Sequence, residues 1–174
     1  MNTSLLSFLI IFSVFLLTPF LAAISLAPWV PMRSRDLKRV FELARLQPRE
    51  VFYDLGCGNG KTVVYAARHF RAKATGIELA LPLYIICLLH QLLNWRFDIH
   101  FRWGNLFRHN ISDANVVYIF GMPNSLAKKL KQKLLAELKP GTRVITYTFP
   151  IAGLTPSSVD KPTEKDLPIY LYIL

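Results

Sequence analysis

At 174 residues the chain has the length of one domain, and its formal net charge of +10 points to an anionic partner surface, either nucleic acid or phospholipid. Its two cysteines, Cys57 and Cys87, form no CxxC pair, and nothing in their number or spacing suggests a secreted disulfide framework. The four histidines (His69, His90, His100 and His109) lack close metal-ligand spacing, so no metal site is implied.

No charged side chain precedes Arg33, and from Ser4 to Leu26 the chain is apolar apart from Ser, Thr and Pro19. As a helix this stretch would be about 34 Å long, against a hydrocarbon core of about 30 Å. Residues 1–27 therefore read as an N-terminal transmembrane anchor. A cleaved signal peptide is the alternative, with Ser25 and Ala27 as a small-x-small site. Against it stand the uncharged n-region, the long apolar run and Pro28 after the cut. Arg33, Arg35, Lys38 and Arg39 crowd the C-terminal flank, so the positive-inside rule places the remainder of a single-pass chain on the cytoplasmic or mitochondrial-matrix side.

Residues 28–49 combine a proline-restricted piece, Pro28 to Pro31, with an amphipathic helix. Ser34 is its expected N-cap, Leu37, Val40, Phe41 and Ala44 share one face, and Pro48 ends it. The basic face of this helix is suited to anionic headgroups or simply to solvent.

Residues 50–174 alternate strands with helices, the pattern of a mostly parallel sheet with helices on both faces. The expected elements are strand Val51–Leu55, helix Lys61–Phe70, strand Ala74–Glu78, helix Pro82–Trp95, strand Ile99–Trp103, strand Val116–Phe120, helix Ser125–Leu138, strand Arg143–Thr148 and strand Ile169–Ile173. The proline-rich stretch between the last two strands reads as a loop. In the helix before it, Leu126, Leu130, Leu134 and Leu138 form an inward stripe, with Lys128, Lys129, Lys131 and Lys133 largely on the solvated side.

The first strand runs into Asp54-Leu55-Gly56-Cys57-Gly58-Asn59-Gly60-Lys61-Thr62. A P-loop needs a glycine five residues before Gly60, where Leu55 stands. A dinucleotide loop needs its third glycine at Lys61 or Val63. What remains is G-x-G-x-G behind an acid. A carboxylate at the mouth of a phosphate cradle would repel its ligand, whereas S-adenosylmethionine (SAM) carries a sulfonium and an ammonium. The loop is therefore expected to hold SAM, with Asp54 accepting from the ammonium and Gly56, Cys57, Gly58 and Gly60 giving a small, permissive backbone.

In such a sheet ligands bind outside the carboxyl ends of the strands. Glu78 ends the second strand, placed to accept both ribose hydroxyls. Asn105 and Leu106 come after the third, where a polar group can bond the adenine amine and an apolar one cover the ring. Phe120, Gly121, Met122 and Pro123 end the fourth and would floor the methyl group.

The series "PWVP", "YDLGCGNGK", "GIEL", "NL", "VVYIFGMP" and "RVITYTFP" resembles the small membrane-anchored class I protein-lysine methyltransferases, whose mitochondrial members modify ATP synthase subunit c and the adenine nucleotide translocase. The likeness runs from about Pro28 to Pro150. It implies a Rossmann-like class I methyltransferase fold behind one transmembrane helix, SAM held by Asp54, Gly56, Gly58, Gly60 and Glu78, and the segment bearing Trp29 and Pro31 lying near a lysine channel. Phe120, Pro123, Tyr147 and Phe149 would line that channel, where low polarity depresses the pKa of the acceptor amine. No side chain is assigned as catalytic. The chain departs from the family at Asn105, where relatives usually carry Asp, and at Leu154-Thr155-Pro156, which replaces an aromatic-rich W-x-P ending. The implied partners are a membrane protein bearing the lysine and an anionic phospholipid surface, with no nucleic acid. Methylation of a lipid or isoprenoid quinone, or SAM or nucleotide binding without turnover, are the alternatives.

Overall fold

The computed structural model describes residues 3–9, 12, 13, 17, 32–120 and 129–174. The expected anchor lies mostly outside the described residues, among which no helix is long and apolar enough to cross a membrane. Trp29, Pro31 and Pro123 also lie outside them.

Seven strands form one sheet in the order β3-β2-β1-β4-β5-β7-β6. β1 (Val51–Leu55), β2 (Lys73–Glu78), β3 (Ile99–Trp103), β4 (Val116–Phe120) and β5 (Arg143–Tyr147) are parallel neighbours, whereas β7 (Ile169–Ile173) runs antiparallel to β5 and to β6 (Ser158–Asp160). The chain winds outward from β1 through β2 to β3, then returns to β4 on the other side of β1, so the switch point lies between β1 and β4. Asp54 stands opposite Gly76 on one side and Tyr118 on the other, beside that crevice.

Both faces of the sheet are covered. α1 (Ser34–Ala44), α2 (Lys61–Phe70) and α3 (Leu81–Leu93) lie on one face, where Val40, Phe41, Phe52, Val63 and Phe101 share a core. α4 (Lys131–Glu137) lies on the other, where Leu130, Leu134, Ile77, Ile119 and Val144 share a second. β1, β4 and β5, which read as largely apolar runs in the sequence, are strands covered on both faces, as inner parallel strands require.

Several expectations need correction. The N-cap of α1 is Arg33, not Ser34; the Ser34 hydroxyl instead accepts a bond from Lys61 Nζ at 2.7 Å. The proline-rich segment is not all loop, because Ser158–Asp160 pairs with Ile169–Leu171 as an added edge strand. The basic face of α1 is largely neutralised: Arg39 binds Asp36 and Asp160, Arg35 binds Asp166, and Lys38 pairs with Glu42. Lys133 is buried rather than solvated, donating to Glu137 Oε1 and to the His109 carbonyl, both at 2.6 Å. A primary amine can lie in a core only where its donors are met, and here two acceptors meet it.

Candidate cofactor and acceptor site

The glycine loop turns back on β2: the amides of Gly56 and Cys57 both donate to the Ile77 carbonyl, at 2.9 and 3.0 Å. Gly60 N–H then donates to the Cys57 carbonyl, and α2 begins with Val64 N–H on the Gly60 carbonyl. Gly56, Gly58 and Gly60 all have positive φ, between 58° and 84°, which a side chain would strain. Gly60 is also pinned by packing. A Cβ there would lie 2.6 Å from the Phe101 ring, so this third glycine answers to the core of β3 as well as to the loop.

Two buried carboxyls flank the loop. Glu78 is 5 % exposed; its Oε2 accepts from Gly58 N–H and its Oε1 from Ala80 N–H, each at 2.7 Å. Burial pushes this carboxyl up, and the backbone donors pull it partly back. Each oxygen keeps a further acceptor position, the capacity a pair of hydroxyls needs. Asp54 is 2 % exposed, and its Oδ1 has no hydrogen-bond partner. Burial first, and the neighbouring Glu78 charge second, push its carboxyl well above the ordinary range, with the Thr62 hydroxyl opposing. An unpaired buried oxygen costs about 1–3 kcal/mol. A cationic donor is the complement that relieves both the orphan and the repulsion, and a phosphate would aggravate both. The residues present therefore fit SAM, through its ammonium at Asp54.

Cys57 is a packing thiol. Burial, Cys87 and the two acids push it up, so it stays protonated; Cys87 Sγ lies 3.9 Å away and donates to the Gly58 carbonyl at 3.1 Å. At the end of β3, Asn105 Oδ1 accepts from Phe107 N–H at 2.9 Å and so caps the 3-10 turn Leu106–Arg108. Leu106 is buried with Ile77 and Ile111 in the second core. Gly104 N–H donates to the Glu78 carbonyl, which holds this turn against β2.

The carboxyl ends of β4 and β5, where the sequence places the lysine channel, carry an aromatic wall. Phe120 ends β4 and Tyr147 ends β5, in register with each other, with ring centroids 5.7 Å apart; the Phe149 ring lies 6.5 Å from Phe120. Thr148 between them takes φ 75°, a strained conformation for a β-branched residue, and its Oγ1 is buried without a partner.

Sequence reasoning missed the bonds that hold this wall. The Tyr147 hydroxyl donates to Asp36 Oδ2, and Asp36, fully buried on α1, also accepts from Arg39 Nη1 at 2.9 Å. Arg39 continues to Asp160 Oδ2 at 2.7 Å and to the carbonyls of Asp160 and Leu167. Only the i, i+3 spacing of Asp36 and Arg39 is visible in the sequence; the bonds to Tyr147 and Asp160 join residues more than a hundred positions apart. Burial and Asp36 push the Tyr147 hydroxyl up, so it remains a donor. Among the described residues, no cluster of three or more metal-ligating side chains occurs.

Residues 54–158 match the ANTKMT methyltransferase domain. The chain is 35 % identical over 153 residues to a protein-lysine N-methyltransferase of Saccharolobus islandicus, an alignment covering 84 % of this chain and 93 % of that protein. It is 31 % identical over 136 residues to the mouse adenine nucleotide translocase lysine N-methyltransferase, covering 76 % of this chain and 57 % of the mouse protein. Among solved structures, an RNA methyltransferase from Salinibacter ruber bound to S-adenosyl-L-homocysteine superposes with a TM-score of 0.78 at 32 % identity, covering 83 % of this chain and 93 % of that one.

Proposed function

The chain belongs to the ANTKMT methyltransferase family and is a SAM-dependent methyltransferase, and from that premise we propose that it methylates the side-chain amine of a lysine in a membrane protein. The observation that carries this reading is the orphaned oxygen of Asp54 at the glycine loop, next to the strand whose end begins the Phe120, Tyr147 and Phe149 wall. The 35 % identity to a protein-lysine N-methyltransferase supports lysine as the acceptor. The uncharged run from Ser4 to Leu26 and the basic residues after it support a membrane setting with the catalytic part on the cytoplasmic or matrix side.

SAM supplies, when bound, a methyl group on a sulfonium, which leaves as a neutral thioether when an amine displaces it. The protein's part is alignment and the exclusion of water. Asp54 and the second acceptor positions of Glu78 would hold the two polar ends of the cofactor. The aromatic wall disfavours the charged form of an incoming amine, so the acceptor nitrogen reaches it after giving its proton to solvent. Tyr147 is already committed to Asp36 and sets the wall's position rather than taking that proton.

An RNA acceptor is the second reading, favoured by the likeness to the Salinibacter RNA methyltransferase and by the charge of +10. Membranes incubated with the full chain and methyl-labelled SAM, then separated into protein, lipid and RNA, decide between these. Label in protein, recovered as methyl-lysine by mass spectrometry, is the expected result. Label confined to lipid or RNA would end the lysine reading.

A further inference from the structure

Helices on the outside of a doubly wound sheet normally turn a polar face to water. α3 does not. Residues 79–97 carry one formal charge, Arg96. Ile85, Leu89 and Leu92, spaced i, i+4 and i+7, form the centre of an outward stripe, and Ile86, Leu88 and Leu93 widen it; these six are 39–78 % exposed. The inward side is served by Cys87, which is fully buried, and by Gln91, which accepts from Phe101 N–H. A contiguous apolar surface of this kind marks an interaction site.

The residues that border the stripe identify the partner. Trp95 is 73 % exposed at the C-terminal end of α3, with Arg96 over its ring at 5.1 Å. Trp103, half-exposed at the end of β3, donates its indole N–H to the Leu79 carbonyl at the other end of the helix. Aromatic rings with a polar edge and arginines with long apolar stems are the side chains that settle at a headgroup boundary. Along the flank facing α1 and α2 runs a groove lined by Lys61, Tyr65, Arg68, His69 and His90, with no acid among them. The one acid near the strand edge, Asp98, is occupied by His100 at 2.9 Å.

We infer that the outer face of α3 lies flat in the headgroup region of an anionic phospholipid bilayer, with the Lys61/Arg68/His69/His90 groove seating a lipid phosphate. The arrangement is that of an interfacial helix: an apolar face in the acyl boundary, with cations beside it rather than beneath it. This deepens the membrane part of the proposed function, and its test uses vesicles free of protein and SAM, so its failure is separable from failure of the lysine assignment.

The full chain carrying a nitroxide at Leu92→Cys is compared with one labelled at Leu135→Cys, an exposed position on α4 across the sheet; Cys57 and Cys87 are buried and stay unlabelled. On vesicles containing phosphatidylglycerol the label at 92 gains collisions with oxygen and loses collisions with a water-soluble nickel chelate several-fold, and the label at 135 does not change. Leu89→Glu weakens vesicle binding at this face about a hundredfold. Arg68→Ser with His69→Ser abolishes the preference for phosphatidylglycerol over phosphatidylcholine. A label at 92 that behaves like the one at 135, or that is shielded without vesicles as protein concentration rises, overturns the proposal in favour of no partner or a second copy. Equal behaviour on neutral and anionic vesicles overturns the phosphate seat.

Discussion

Tyr147 and Asp36 are joined by a 2.5 Å hydrogen bond from the phenol to the carboxylate, across 111 residues of sequence. The bond fastens α1 to the carboxyl end of β5, at the edge where the Phe120, Tyr147 and Phe149 rings stand. Asp36 is fully buried, and Tyr147 and Arg39 meet both of its oxygens, with Arg35 Nε 3.8 Å from Oδ1 as well.

Tyr147→Phe removes one of those donors and keeps the ring. The expected cost is about 1–3 kcal/mol of stability, the desolvation of a buried acceptor left unpaired, read as a lower urea midpoint with unchanged slope. SAM affinity measured by calorimetry stays at the parent value, because Tyr147 belongs to the proposed lysine channel and not to the glycine loop. Methyl transfer falls. A drop in SAM affinity as large as the drop in turnover would contradict the division into cofactor and acceptor sides.

Gly60→Ala tests why the third glycine is a glycine. The added Cβ would sit 2.6 Å from Phe101 at a φ of 76°, so both overpacking and backbone strain act. A loss of about 2–4 kcal/mol is expected. Phe101→Leu in the same chain removes the nearer clash and restores about 1 kcal/mol, leaving the 3.1 Å approach to Cys87 Sγ and the backbone strain. Thermal unfolding of the single and double variants checks this. Equal instability in both would show that Phe101 does not set the requirement.

Lys133→Met should cost about 1.5–3 kcal/mol, less than breaking a fully buried pair, because the stranded Glu137 carboxylate is partly exposed. Glu137 would then keep only its bond from Ile111 N–H, at 3.0 Å. Lys133→Met with Glu137→Gln removes the stranded charge and recovers part of the loss. Urea unfolding of the pair reads this as a positive coupling energy.

The sheet was legible because its strands are apolar runs cut by Gly, Pro and Asn, and six of them lie where the sequence places them: β1, β3, β4 and β7 in full, and β2 and β5 to within one residue. β6 was not, since Ser158–Asp160 is short and polar and becomes a strand only because β7 offers it an edge. Asp54 and Glu78 were legible from their position at strand ends, but not that backbone amides already hold both Glu78 oxygens. α3 (Leu81–Leu93) falls within the helix expected at Pro82–Trp95, apart from its first residue. Which side of it faces water could not be read, because a helix apolar all round carries no moment to orient it. The Arg39 network was hidden for a different reason: a hydrogen bond from α1 to β6 depends on the whole winding of the sheet.

Asp54 makes SAM binding pH-dependent with a defined sign. In the folded protein its carboxyl is raised well above its ordinary value of about 3.9, chiefly by burial and then by Glu78. A carboxyl raised in the folded state contributes stability that is complete below the unfolded pKa and is lost as pH rises through the folded one. The ligand-free protein should therefore lose stability as pH climbs from the ordinary carboxylate range through the raised value, and Asp54→Asn should lessen that loss. For a cationic ligand the sign reverses. The ionised form of Asp54 is the one that pairs with an ammonium, so binding releases a proton and the Kd of SAM falls as pH rises through the raised pKa. Calorimetry in two buffers of different ionisation enthalpy should show proton release at pH values between the ordinary carboxylate range and the raised pKa. Asp54→Asn should show none there from this group, together with at least roughly tenfold weaker binding, the loss of one charge-assisted bond. Proton uptake on binding by the parent chain, or SAM affinity in Asp54→Asn equal to the parent's, would mean that the orphaned oxygen is not where the cofactor's cation goes.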